Sequence, residues 1–209
     1  MIAPTRAEPG LNERRKLQAM HEIQHVALKL FEDNEYREVS VEQVAAAAGV
    51  SASTVYRYFG TKEMLVVWDD IDPRVIGMLA AGGEAVDADQ LIAQVITGAR
   101  HLAAAVAQTG DELTIKRRMR LMRGESDIRA GQLRQVQFVE EQVRKALTAR
   151  LGLHDTDLLP RILAAQSIWP FMAAIDHWVA TDFAEPLGGV LDETINIVQR
   201  SLHAAVASV

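Results

Sequence analysis

Residues 40–65 read SVEQVAAAAGVSASTVYRYFGTKEML, and the fold follows from reading this stretch as helix, tight turn, short helix. Ser40 is a helix N-cap with Gln43 three residues on, the spacing of a capping box. Val41, Val44, Ala45 and Ala48 then recur on one helical face, and Gly49 supplies the backbone freedom for a sharp turn. Ser51 is the next N-cap, opening a short helix over Ala52–Phe59. Gly60 ends that helix, and Thr61 is expected to cap a fourth that begins Lys62-Glu63-Met64-Leu65.

Upstream, segment 14–33 is amphipathic. Met20, Ile23, Ala27, Leu30 and Phe31 form one stripe at 3.6-residue spacing, opposite Glu22, Lys29 and Glu32. Residues 1–13 hold two prolines and a glycine and read as a flexible arm. Downstream, helical periodicity predicts helices near 73–81, 89–108, 111–123, 127–151, 156–183 and 189–207. The breaks fall at Gly82-Gly83, Thr109-Gly110, Gly124, Gly152 and Glu185-Pro186-Leu187-Gly188. Pro170 should kink or end the helix that contains it. No alternating apolar–polar run and no internal repeat is visible. The expected fold is all-α: an arm over 1–13, a three-helix head over 14–66, and a larger helical body over 67–209.

Composition narrows the class. With 209 residues, 49% hydrophobic and 24% charged, the chain reads as a soluble globular protein that needs no disulfide or metal staple. The longest apolar runs, Val44 to Val50 and Ile168 to Ile175, are too short to span a bilayer, so no membrane partner is expected. There is no cysteine, which removes disulfides, thiolate nucleophiles and cysteine metal sites. The N-terminus lacks the apolar segment of a secretory signal, and a cytoplasmic location is expected. A net charge of −6 does not advertise a nucleic-acid binder, so any such reading must rest on local residues.

Helix, glycine turn, short helix is the helix-turn-helix pattern, whose second helix enters the major groove. With Val55 facing inward, Ala52 and Phe59 fall beside it, Ser53 and Arg57 point outward, and Thr54 and Tyr56 flank that outer face. Hydroxyls reach base edges or phosphates, and arginine pairs bidentately with guanine. Tyr56 and Tyr58 offer phenolic hydroxyls to phosphates, and Lys62 adds a charge. Arg14, Arg15 and Lys16 sit where an N-terminal arm tracks the backbone or a minor groove. The plain alternative is a solvated helix face, and local charge does not argue against it. Residues 1–63 hold 8 Lys/Arg against 9 Asp/Glu.

The same stretch closely resembles the DNA-binding domain of the tetracycline-repressor (TetR) family. The resemblance is carried by Leu30-Phe31, Val41, Val44-Ala45, Ala48-Gly49-Val50-Ser51, Thr54-Val55-Tyr56, Tyr58-Phe59, Lys62-Glu63 and Leu65, over roughly residues 14–66. It implies a homodimer on double-stranded DNA with a pseudo-palindromic operator, and a variable helical C-terminal domain that binds a small effector. The family's DNA contacts fall on Ser40, Ser51, Ser53, Thr54, Tyr56, Arg57, Tyr58 and Lys62. Position 57 varies among relatives, so the resemblance does not fix its base preference.

Residues 21–25 read HEIQH, the zinc-peptidase pattern with two histidines one helical turn apart and a glutamate as base. His21 and His25 lie on the polar side of the wheel, and no downstream residue stands out as a third ligand. Catalysis, a metal site and a cofactor are not expected. The rival readings are a zinc-dependent hydrolase using HEIQH and a ligand-binding protein without DNA binding.

The body should hold the effector pocket and the dimer interface. The resemblance implies dimerisation through the last two helices, where Leu191, Ile195, Val198 and Leu202 form a stripe. Met78, Leu79, Ile92, Ile96, Met119, Met122, Phe138, Trp169, Phe171, Met172 and Trp178 are the large side chains available for a pocket, with Asp176 and His177 as polar groups. Each fills an ordinary core equally well. Lys116-Arg117-Arg118-Met119-Arg120 and Arg123 make the most cationic segment, either a solvated helix end or a phosphate-binding rim. Val66-Val67-Trp68-Asp69 with Asp72-Pro73 resembles the subgroup containing the mycofactocin-system regulator. That subgroup is associated with long-chain acyl-coenzyme A. The resemblance implies an acyl chain in the Met/aromatic interior and Arg117, Arg118, Arg120 or Arg123 on the nucleotide phosphates.

Overall fold

The computed structural model describes residues 10–68 and 112–206, with isolated helical positions between 90 and 104. Within them the chain forms α1 (Leu11–Asp33), α2 (Val41–Ala47), α3 (Ala52–Phe59), α4 (Met64–Val67), α5 (Glu112–Gly124), α6 (Ser126–Leu151), α7 (Leu158–Ala180) and α8 (Leu187–Val206). There is no strand among the described residues. The expected helix 73–81 and most of 89–108 lie outside them.

The caps read from sequence explain the head. The Ser40 hydroxyl accepts from the Gln43 amide at 3.1 Å, and the Gln43 side-chain oxygen accepts from the Ser40 amide at 2.7 Å. Both orphan donors at the start of α2 are thereby satisfied. Gly49 and Gly60 take φ of +69° and +76°, left-handed values that close the turns before and after α3. The Ser51 hydroxyl caps α3 through the Thr54 amide at 3.2 Å.

Three boundaries differ from expectation. α1 begins at Leu11, inside the expected arm, because the Gly10 carbonyl accepts from the Arg14 amide at 3.0 Å. Thr61 does not cap α4. That helix starts at Met64 with no side-chain cap, since the Leu65 and Val66 amides close tight three-residue turns onto the Lys62 and Glu63 carbonyls. α7 ends at Ala180, and α8 starts at Leu187 as the Pro186 carbonyl takes the Gly189 amide. α7 runs through Pro170 without ending there.

Two cores result. The head core joins Met20, Ile23, Ala27, Phe31, Val44, Val55, Phe59 and Leu65 to Met119, Met122 and Ile128 of the body. The second core holds Val139, Val143, Leu147, Leu163, Trp178, Leu191 and Ile195. Ile115, Ile175 and Phe183 pack against both. Phe183 and its neighbour Asp182 adopt left-handed φ of 60° and 53°, rare for such side chains. The Phe183 ring is held edge-on against Trp178 at 4.7 Å, so packing fixes a backbone that local preference opposes.

α7 corrects the reading that apolar stretches here are too short to cross a bilayer. It is long and apolar enough by length and composition, with mean hydropathy 1.3. Counting uninterrupted runs missed it because Gln166 and Ser167 break the run without adding charge. α7 packs on α6 and α8, yet only 22% of its apolar window is buried within the protomer.

Candidate nucleic-acid interface

α3 divides as its wheel predicts. Val55 and Phe59 are buried against the head, while Ser53, Tyr56 and Arg57 are exposed and Thr54 and Tyr58 half-buried. Tyr56 is 47% exposed, a large aromatic left in solvent on a helix that buries its other face. The Ser51 hydroxyl lies 2.9 Å from both the Ser53 and Thr54 hydroxyls, so three hydroxyls are ordered at the start of the helix. The Arg57 guanidinium sits 5.1 Å from the Tyr58 ring centroid, a cation–π contact that limits where it points. Arg14, Arg15 and Lys16 are exposed on the turns of α1 that precede Met20, its first buried residue. Ser40 uses its oxygen as the α2 cap.

Lys62, the expected phosphate contact, is half-buried. Its ammonium donates to the Tyr36 carbonyl and lies 4.1 Å from the Tyr36 ring centroid and 5.7 Å from that of Phe31. Desolvation lowers its pKa although Glu125 and Asp127 oppose this. The rings of Phe31 and Tyr36, 4.9 Å apart, both lie beside this ammonium.

The described residues among those expected to line a pocket are spread over the two cores, the head–body seam and the surface. Arg118 is buried and donates from Nε to the Val66 carbonyl at 2.7 Å and from Nη2 to the Val67 carbonyl at 2.6 Å. Arg117 pairs with Glu32 of α1 at 3.0 Å, and Arg120 lies 5.3 Å from the Phe183 ring. Lys116 pairs with Glu112 at 2.7 Å and faces Trp178 and Phe183, while Arg123 is exposed. The cationic segment is therefore a seam between head and body, because α5 lies where its cations meet backbone carbonyls, a carboxylate and aromatic faces. Met119 and Met122 belong to the head core. Ile96 and Trp178 belong to the second core, where the Trp178 indole donates to the Glu185 carbonyl at 2.7 Å. Phe138 is 56% exposed, and Trp169 is exposed with its indole on Glu140 at 2.8 Å. Met172 and Phe171 are half-buried, and Asp176 and His177 are exposed. Met78, Leu79 and Ile92 lie outside the described residues.

A cleft of about 390 Å³ lies at the head–body junction, lined by Tyr36, Arg37, Lys62, Glu63, Asp127, Ala130 and Arg134. Residues of this cleft also form ion pairs across the junction, Arg37–Glu125 at 3.3 Å and Arg134–Glu63 at 2.8 Å. His21 and His25 are exposed on α1, with His21 edge-on to Trp68 at 5.0 Å. Among the described residues no group of three metal-capable side chains forms.

Sequence reasoning missed Gln24 and Gly131. Gln24 is buried and its amide donates to the Trp68 carbonyl at 2.8 Å. Its signal was a polar residue on the Met20–Ala27–Phe31 stripe. Gly131 is buried mid-helix, and its signal was a glycine inside a helical pattern with no turn nearby.

Residues 23–67 match the family model for bacterial regulatory proteins of the tetR family. Residues 90–203, more than half of the chain, match the model of the MftR C-terminal domain. The chain belongs to the TetR family. A curated relative of this regulator is the putative mycofactocin biosynthesis transcriptional regulator MftR of Mycobacterium tuberculosis. It is 25% identical over 182 residues, covering 86% of this chain and 90% of that protein. The HTH-type transcriptional regulator TcmR of Streptomyces glaucescens is 27% identical over 165 residues, covering 75% of this chain and 71% of TcmR. Among solved structures, NalD of Pseudomonas aeruginosa, a secondary repressor of a multidrug efflux pump, superposes with TM-score 0.52 at 20% identity. That superposition covers 88% of this chain and 96% of NalD. A TetR-family regulator of Streptomyces coelicolor gives 0.52 at 19% identity, covering 97% and 99%. The fold is shared, and the TetR-family chain is a DNA-binding transcriptional regulator.

Proposed function

We propose that this regulator is a homodimeric, ligand-responsive repressor released from its operator by a small apolar effector. The observation that carries this is α3, which buries Val55 and Phe59 while offering Ser53, Tyr56 and Arg57 to solvent from a head joined to the body along a packed seam. Arg57 and Ser53 read base edges; Ser40, Ser51, Thr54, Tyr56 and Tyr58, with Arg14, Arg15 and Lys16, hold phosphates. Two such heads reach successive major grooves about one helical turn, ~34 Å, apart.

Dimerisation uses α7 and α8, but through faces other than the expected stripe. Leu191 and Ile195 are buried within the protomer, and Val198 packs against the same core. Leu158, Leu159, Ile162 and Trp169 of α7 and Ile197 of α8 are exposed. An apolar helix left this bare is the face that a second copy covers.

The effector is a long-chain acyl-coenzyme A, a reading supported by the MftR-type body. Because Arg118 is committed to α4, its phosphates meet other cations. No catalytic group is assigned, the hydrolase alternative on HEIQH is not favoured, and the regulator works in the cytoplasm with its DNA. Selection from random duplex DNA tests the first half, and thermal shift against acyl-coenzyme A of increasing chain length tests the second. A ligand at 100 times its Kd stabilises by about 2.7 kcal/mol. An enriched palindrome and a shift that grows with chain length and needs the nucleotide are expected. Enrichment of no sequence overturns the operator reading, and a shift from coenzyme A alone overturns the acyl reading.

A further inference from the structure

A four-residue helix cannot satisfy its own ends. α4 is such a helix, and its termini are held by other elements. At its C-terminal end the Val66 and Val67 carbonyls take Arg118 of α5, and the Trp68 carbonyl takes Gln24 of α1. At its N-terminal end the Glu63 side chain lies across α6 at Gly131. A Cβ built there would fall 2.7 Å from Glu63 Cγ, and Arg134 of α6 holds the carboxylate at 2.8 Å. α4 is thus gripped at both ends by two consecutive body helices, and α3 enters it through only Gly60–Glu63.

α5 is itself tied to the body. Lys116 and Arg120 lie against Phe183, whose left-handed backbone is held by packing between the two cores. A change at the α7–α8 elbow therefore reaches α5, and α5 meets α4 through a planar guanidinium bonded to two successive carbonyls. Two fixed donors resist rotation, whereas one ammonium would let the carbonyls slip.

Resting on the reading of the chain as ligand-responsive, we propose that Arg118 is the positioning residue through which the body sets the recognition helix. The effector need not be known to test this, because Phe183→Leu perturbs the elbow directly. Hydrogen exchange of the full-length protein is followed by mass spectrometry in wild type, F183L, R118Q and the double variant, with R118K as the conservative variant. Arg144→Gln is the control. Arg144 is equally buried but pairs with Glu141 and Asp155, away from α4.

F183L is expected to speed exchange in peptides covering Ala52–Phe59 and Met64–Trp68. In the R118Q background that effect should shrink by about threefold or more, and in R118K by an intermediate amount. R144Q should leave the F183L effect on α3 unchanged, which a general loss of stability would not do. Where R118Q does not fold, R118K makes the same comparison. An F183L effect on α3 that is absent in wild type, or equal in all backgrounds, overturns the proposal. Failure of wild type to enrich any DNA sequence would sink the regulator reading instead, and the exchange cycle separates the two.

Discussion

Gly131→Ala should destabilise this protein although alanine is the better helix former. In an unobstructed helix interior the exchange gains about 0.8–1.0 kcal/mol. At position 131 the new methyl would stand 2.7 Å from Glu63 Cγ and 3.3 Å from Glu63 Cβ. Carbon pairs prefer about 3.5–4.0 Å, so Glu63 must move by close to an ångström. These are not the far atoms of a flexible side chain. They sit next to the backbone that opens α4, so the movement is passed to the head. Overpacking of this kind costs about 1–3 kcal/mol, and the exposed Arg134 partner adds at most a few tenths when its pair is broken. The balance is a loss of about 0–2 kcal/mol. Gly189→Ala is the matched comparison, since nothing lies within 4 Å of its Cβ on the exposed side of α8. It should gain up to about 1 kcal/mol, worth roughly 2–4 °C in Tm for a chain of this size. Urea unfolding of both variants reads the difference. If G131A stabilises as much as G189A, Glu63 is not seated on α6 and the account of the junction is wrong.

The phenol of Tyr36 is held in its protonated form above the usual tyrosine range by burial and by Glu63, Asp127 and Glu125. The unfolded chain sheds that proton first, so folding stability is fully present below pH 10 and falls above it, by at most ~1.4 kcal/mol per pH unit. Lys62 works in the opposite sense, its penalty fading as pH rises toward the ordinary lysine range. Tyr36→Phe should therefore flatten the alkaline fall in urea-measured stability, and an unchanged slope would remove Tyr36 as its source. Arg57→Ala should cost about 1–3 kcal/mol at one operator position and relax preference there. Lys62→Ala should lower stability while leaving the salt slope of DNA binding unchanged, and a slope reduced by about one counterion would put its ammonium on a phosphate after all. Ile162→Glu should halve the mass measured by light scattering with helix content retained; a dimer that survives it lies on another face.

Much of the head was legible because each signal is local. Ser40 with Gln43, Gly49, Ser51 and Gly60 fix α2 and α3 within a few residues of chain, and the alternation of Val55 and Phe59 with Ser53 and Arg57 sets which face is bare. Lys62 shows where such reading stops. Its pattern position favours DNA, but its surroundings are Tyr36 and Phe31, brought beside it by folding. Arg118 is a similar case: among five cations in a row of residues, nothing local marks the one that is buried on α4 carbonyls. The α8 stripe of Leu191 and Ile195 was read correctly as apolar, but periodicity does not say whether the partner is α7 of the same chain or a second protomer. α7, whose few polar residues do not gather on one face, carries little directional signal.

The sharing of Ile115, Ile175 and Phe183 between the two cores bears on how the protein melts. Although two family models divide the chain, the head's interior is not closed without the body, since Met119, Met122 and Ile128 complete it. Unfolding should then be one cooperative transition, with calorimetric and van't Hoff enthalpies in agreement. A compound seated anywhere in the body would raise the melting point of the DNA-reading helices by the same amount as its own surroundings.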